Sequence, residues 1–125
     1  QLPKERLYSY FVPKKLNVAK MREAGDYLVG EHDFVSFCNV RTDVENTVRT
    51  ITALDILTNG DEITIRITGN GFLYNMVRII VGTLLDIQRG KIEKGSIPQI
   101  IESCNRDNAG VTAAAHGLYL NKVFY

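Results

Sequence analysis

The sequence predicts an α+β protein, an antiparallel sheet with helices packed on one face. Three observations predict it. Asp61 to Thr68 alternates strictly, with Ile63, Ile65 and Ile67 to one side and Thr64, Arg66 and Thr68 to the other, which is the period of a strand buried on one face. Thr47 to Thr58 precedes it across Asn59 and Gly60, a short hairpin signal. Gly69 to Gly90, GNGFLYNMVRIIVGTLLDIQRG, places Leu73, Met76, Val77, Ile80, Leu84 and Ile87 on one helical stripe. A hairpin followed by helices, with no regular β-α alternation, gives an α+β layer structure. At 125 residues the whole chain, 1–125, is expected to form one domain, large enough to bury roughly two thirds of its unfolded surface.

Each element has its own signature. Arg6 to Val12, RLYSYFV, is aromatic and β-branched enough for a strand closed by Pro13. Asn17 reads as the N-cap of a helix, with Leu16 and Met21 as its hydrophobic staple, Met21, Ala24 and Leu28 as its apolar face and Gly30 as its stop. Glu31 to Phe37 spaces Phe34 and Phe37 for one side of a helical turn, and Asn39 to Asn46 reads as a loop. The long helix opens at Asn70 or Gly71 and ends at Gly90. Ser96 then caps a helix with Pro98 in its first turn and Ile97, Ile100, Ile101 and Cys104 on one face. Asn105 to Gly117 is small and polar, hence irregular, and Leu118 to Tyr125 is a final strand.

Composition excludes little. The chain is 45% hydrophobic and 23% charged with a net charge of +1, which neither demands nor forbids a nucleic-acid partner. Lys4, Arg6, Lys14, Lys15, Lys20 and Arg22 crowd the first segment. No transmembrane run or targeting peptide is evident, so a cytoplasmic setting is the default. The first residue is Gln1 rather than methionine, so a fragment is expected. Cys38 and Cys104 lack metal spacing with His32 and His116; no metal is expected, and both thiols read as free and buried.

The long helix is apolar nearly all round, the mark of a helix covered on two sides. Arg78 lies at its centre. An arginine cannot shed its charge, so it either meets a carboxylate, phosphate or carbonyls or extends to solvent at the helix edge. Gly82, one turn on, leaves room on the same side. No nucleophilic elbow, phosphate loop or zinc motif is present. His32 beside Asp33 suggests an acid-base pair, but adjacent residues on a helix do not face one another.

GFLYNMVR at 71–78, IIVGTLL after it, RDNAGVT at 106–112 and GLYLNKVFY at 117–125, with GEHDFVSF and VRTI upstream, resemble the C-terminal half of the TruA-type family of tRNA pseudouridine synthases. The resemblance implies half of a catalytic fold that isomerises uridine in the tRNA anticodon arm, at positions 38 to 40, without metal or cofactor and as a cytoplasmic homodimer. It makes Arg78 the arginine that pairs with a catalytic aspartate from the other half. Tyr74, Asn75 and Leu118 become candidates for the substrate cleft. The family's aspartate lies in an RTD segment followed by glycine, valine and histidine. Arg41, Thr42 and Asp43 are followed by Val44, Glu45 and Asn46, so Asp43 reads as a coincidence. Ala114 also stands where the family has a proline. The fragment alone is therefore expected to be inactive. Arg49 and Arg66, read as one polar sheet face, are the RNA-binding candidates. The alternatives are a noncatalytic RNA-binding module stacking bases on Tyr8, Tyr10, Tyr119 or Tyr125, and a structural or dimerisation domain.

Overall fold

The computed structural model describes residues 5–12, 18–38, 46–73 and 75–124, with the backbone alone at 94, 116 and 120–124. Five strands form one antiparallel sheet: β1 (Glu5–Val12), β2 (Gly30–Asp33), β3 (Val48–Asn59), β4 (Glu62–Gly69) and β5 (Leu118–Phe124), in the order β2-β3-β4-β1-β5. Three helices accompany it, α1 (Ala19–Asp26), α2 (Met76–Gln88) and α3 (Ile97–Ser103).

The alternation in β4 is realised as read. Ile63, Ile65 and Ile67 are 2%, 1% and 0% exposed and Arg66 on the opposite side is exposed, each isoleucine contributing about 1.5–3 kcal/mol of apolar burial. Cross-strand neighbours share a face, so Tyr8 and Leu54 flank Ile67, while Tyr10 and Ile56 flank Ile65. The helices pack on this face. Met21, Ala24 and Leu28 are fully buried, and α1 approaches so closely that a methyl at Gly25 would lie 2.7 Å from a Leu54 methyl. In α2, Met76, Ile79, Ile80, Val81 and Leu84 are fully buried in the same core.

Several local readings are corrected. Glu31 to Phe37 is not one helical turn: Gly30, at φ +116°, leads into β2, which pairs with β3, and only Val35–Phe37 is a 3-10 turn. Phe34 and Phe37 still share a side because the Phe37 amide donates to the Phe34 carbonyl at 2.8 Å. The hairpin turn lies one residue later, with Asn59 ending β3 and Gly60 at φ +62°. Helix α2 begins at Met76, not Asn70, because Asn75 adopts a left-handed conformation at φ 59° that no helix interior accepts. Ser96 stands at the N-cap of α3, but its hydroxyl donates to the Glu93 carbonyl and caps nothing. Cys104 is not on the buried face of α3. It ends the helix at φ 50° and is exposed, while Cys38 is buried. The Asn17 cap, the Leu16 staple contact and residues 39–45 of the expected loop lie outside the described residues.

A β-bulge decides which way the arginines face. Ile51 opposes Gly69 and Ala53 opposes Thr68, leaving Thr52 as an extra residue in β3, and one extra residue reverses the alternation before it. Arg49 therefore shares the face of Ile51, toward the helices, whereas Arg66 lies opposite Ser9 and Asp55 on the uncovered face. The single polar face carrying both arginines is not formed.

Candidate active site

Arg78 sits in the first turn of α2, and the left-handed Asn75 before that turn determines its surroundings. Asn75 occupies the N-cap but makes no side-chain cap bond. Its side-chain oxygen instead accepts a hydrogen bond from Arg78 Nη1 at 3.2 Å. Arg78 Nε donates to the Ala113 carbonyl at 2.7 Å, and the Ala113 amide donates to the Arg78 carbonyl at 3.0 Å. One alanine thus grips the arginine at main chain and side chain. The guanidinium is half-buried, neither fully extended to solvent nor paired with a carboxylate among the described residues, where Nη2 also has no partner.

Ala113 is held in place by the segment around it, residues 106–114, which runs along α2. Gly82 is where it crosses: a methyl there would lie 1.6 Å from the Val111 carbonyl oxygen, so no other residue fits. Gly110 also meets the helix backbone closely, 2.6 Å from its would-be methyl to Thr83 Cα. Thr83 Oγ1 donates to the Ile79 carbonyl at 2.7 Å and accepts the Gly110 amide at 2.9 Å. Asp86, 5% exposed, meets Arg89 at 3.3 Å and accepts the Val111 amide at 3.4 Å. Arg106 donates to the Gly110 carbonyl at 2.8 Å and to the Thr112 hydroxyl at 3.2 Å.

Tyr10 closes the segment from the sheet, its hydroxyl donating to the Ala114 carbonyl at 2.7 Å. Burial pushes the phenol pKa above its usual value, partly opposed by the Arg78 charge. The folded chain therefore holds the proton more tightly than the unfolded one. This contribution is complete below the ordinary tyrosine value of about 10 and is lost as pH rises through the higher folded value. Tyr10→Phe is expected to cost about 1 kcal/mol near neutrality. It should also flatten the alkaline fall in stability, which urea unfolding at neutral and alkaline pH would show.

Arg78 and Asn75 line a cavity of about 210 Å³ together with Tyr8, Phe72, Leu73, Met76, Val77 and Leu118. Tyr8 and Phe72 meet edge to face there, with centroids 5.2 Å apart. Three of the four cleft candidates proposed from sequence, Arg78, Asn75 and Leu118, thus converge on one cavity. Tyr74 and Asp43 lie outside the described residues, as does the His116 side chain. Arg49 approaches Gly71 just before the cavity wall, 3.7 Å from a methyl built there, and donates to the Asn46 and Val48 carbonyls. Arg66 is elsewhere. His32 and Asp33 form no pair: the His32 ring contacts the Val29 carbonyl and Phe34, while Asp33 accepts from Val35 and Thr47. Among the described residues no cluster of His, Cys, Asp and Glu could hold a metal ion.

A family model described as tRNA pseudouridine synthase matches residues 24–125, from α1 to the end of the chain. The chain belongs to the tRNA pseudouridine synthase family. It is 54% identical over 121 residues to tRNA pseudouridine synthase A of Bacillus licheniformis, covering 97% of this chain and 49% of that protein. It is 51% identical to the protein of the same name from Bacillus subtilis and 53% to that of Bacillus velezensis, with the same coverage of each. The chain thus spans about half the length of the curated relatives it matches.

The segments that carry the resemblance to pseudouridine synthases now have physical roles. GFLYNMVR leads into and begins α2, RDNAGVT binds its flank through Gly82, Thr83 and Asp86, and GLYL brings Leu118 to the cavity. Sequence reasoning missed Phe72 and Ala113 and placed Tyr8 only among stacking candidates. Phe72 was legible as an apolar residue within the motif; a main-chain acceptor such as Ala113 leaves no side-chain signal.

Proposed function

We propose that this chain is the C-terminal half of a tRNA pseudouridine synthase that isomerises uridine in the anticodon arm, and that it supplies one wall of the active site. The observation carrying this reading is Arg78, a guanidinium fixed by Ala113 and Asn75 at a cavity with no carboxylate among its described lining residues. A nucleophilic aspartate entering from the other half would be kept ionised by this charge. Tyr8, Phe72 and Leu118 offer aromatic edges and an apolar surface suited to a flat base, which must leave the RNA stack to reach such a site. The isomerisation breaks the N1–C1′ bond, joins C5 to C1′, releases the C5 hydrogen to solvent as a proton and places a proton from solvent on N1.

Arg49, beside the cavity, is the better-placed phosphate contact, whereas Arg66 serves the opposite face. Homodimer formation belongs to the same reading, and sedimentation of the full-length protein tests it.

The decisive comparison is tritium release from tRNA carrying 5-tritiated uridine, by the full-length protein and by these 125 residues alone. Release by the full-length protein and none by the isolated chain is expected. Turnover by the isolated chain would overturn the divided site, and no release by the full-length protein would overturn the activity.

A further inference from the structure

We propose that Arg106 is a positioning residue for the active-site arginine, acting through the main chain of residues 110–113. This rests on the functional reading of Arg78 given above, but the geometry behind it is independent of that reading.

The Arg78 guanidinium owes its direction to the Ala113 carbonyl, 2.7 Å from Nε. That carbonyl lies in residues 110–114, which carry no regular secondary structure, so its position has to be imposed by side chains. Thr83 fixes the Gly110 amide from below, and Tyr10 fixes the Ala114 carbonyl from the sheet. Between these two points the chain runs through Val111 and Thr112 without a regular element, and Val111 is 62% exposed. Arg106 spans this stretch. Its Nη1 holds the Gly110 carbonyl and its Nη2 holds the Thr112 side chain, so one planar fork sets the separation of residues 110 and 112. Ala113 is the next residue. A lysine has no fork and cannot hold both acceptors with the same geometry.

The local sequence is built for this reach. Asn105 turns the chain by accepting the Asp107 amide on its side chain, and the Ala109 amide closes the 3-10 turn on the Arg106 carbonyl. Arg106 and Gly110 are thereby folded back on one another. Arg106 is half-buried, and its replacement removes hydrogen bonds without opening the main core. No side chain of this fork lines the cavity, so its effect on chemistry passes entirely through Ala113 and Arg78.

The test uses full-length protein carrying Arg106→Ala, Arg106→Lys or no change. Expected are a kcat for tritium release about 10- to 100-fold lower in the alanine variant, the range a small misplacement of a catalytic group produces, with KM for tRNA within about twofold. The lysine variant is expected to recover only part of this. Nitrogen NMR of the Arg78 Nε–H supplies a second readout: its signal should exchange slowly with water in the unchanged protein and quickly in both variants. Unchanged kcat with a protected Nε–H would overturn the proposal. So would a loss of activity that merely follows the fraction of protein unfolded. If the unchanged full-length protein releases no tritium, the proposed activity fails, while the Nε–H signal still decides whether Arg106 orients Arg78.

Discussion

Arg78→Ala in the full-length protein is expected to reduce tritium release from tRNA by about a thousandfold or more, while KM for tRNA changes little. Removing one fixed donor from a reacting centre typically costs about 100- to 1000-fold, and Arg78 brings a full charge as well as donors. Its loss would leave an incoming carboxylate in a partly apolar cavity with no cation to hold it ionised, which favours the protonated and non-nucleophilic form. A fall in kcat with KM preserved marks an interaction used in the reaction and not in general RNA binding. Arg78→Lys should recover little. An ammonium placed to meet a carboxylate cannot also reproduce the Nε bond to Ala113 and the Nη1 bond to Asn75. Single-turnover release at saturating tRNA checks both variants; activity of Arg78→Ala within tenfold of the unchanged protein would remove Arg78 from the chemistry.

The second large effect is on folding. Gly82→Ala places a methyl 1.6 Å from the Val111 carbonyl oxygen and 2.8 Å from its carbon. Neither the helix nor the crossing segment can absorb this with a side-chain rotation, because the obstacle is main chain. The segment must lift off α2, giving up the Gly110 amide bond to Thr83 and the paired bonds between Ala113 and Arg78. Overpacking of this kind costs about 3 kcal/mol, enough to lower the melting temperature by about 10 °C in a chain of this size. Calorimetry measures it. Gly95→Ala is the control: no atom lies within 4 Å of a methyl there, and the change should stay within about 0.5 kcal/mol.

Periodicity made the core legible wherever structure was local and regular. Ile63, Ile65 and Ile67 were readable because a strand repeats every two residues, and the stripe of α2 because a helix repeats every 3.6. The N-terminus of α2 was not readable, since a left-handed Asn75 is favoured by its energetics but not announced by any pattern. Strand β2 was read as a helical turn because two phenylalanines three apart suit a 3-10 turn as well, and the edge pairing with β3 is nonlocal. For the site, the residues supplied the question of what Arg78 meets, and the resemblance supplied a partner in another segment. The answer within this chain, a carbonyl 35 positions away, depends on how residues 106–114 fold across α2. No spacing in the sequence encodes that crossing, although Gly82 and Gly110 marked both of its close approaches.

The bulge at Thr52 means that the direction of Arg49 is encoded by counting and not by residue type. Deleting position 52 would turn Arg49 to the other side together with Ile51, which shares its face. The length of β3 is thus itself an address, and a single-residue deletion there would redirect a positive charge more completely than any substitution nearby.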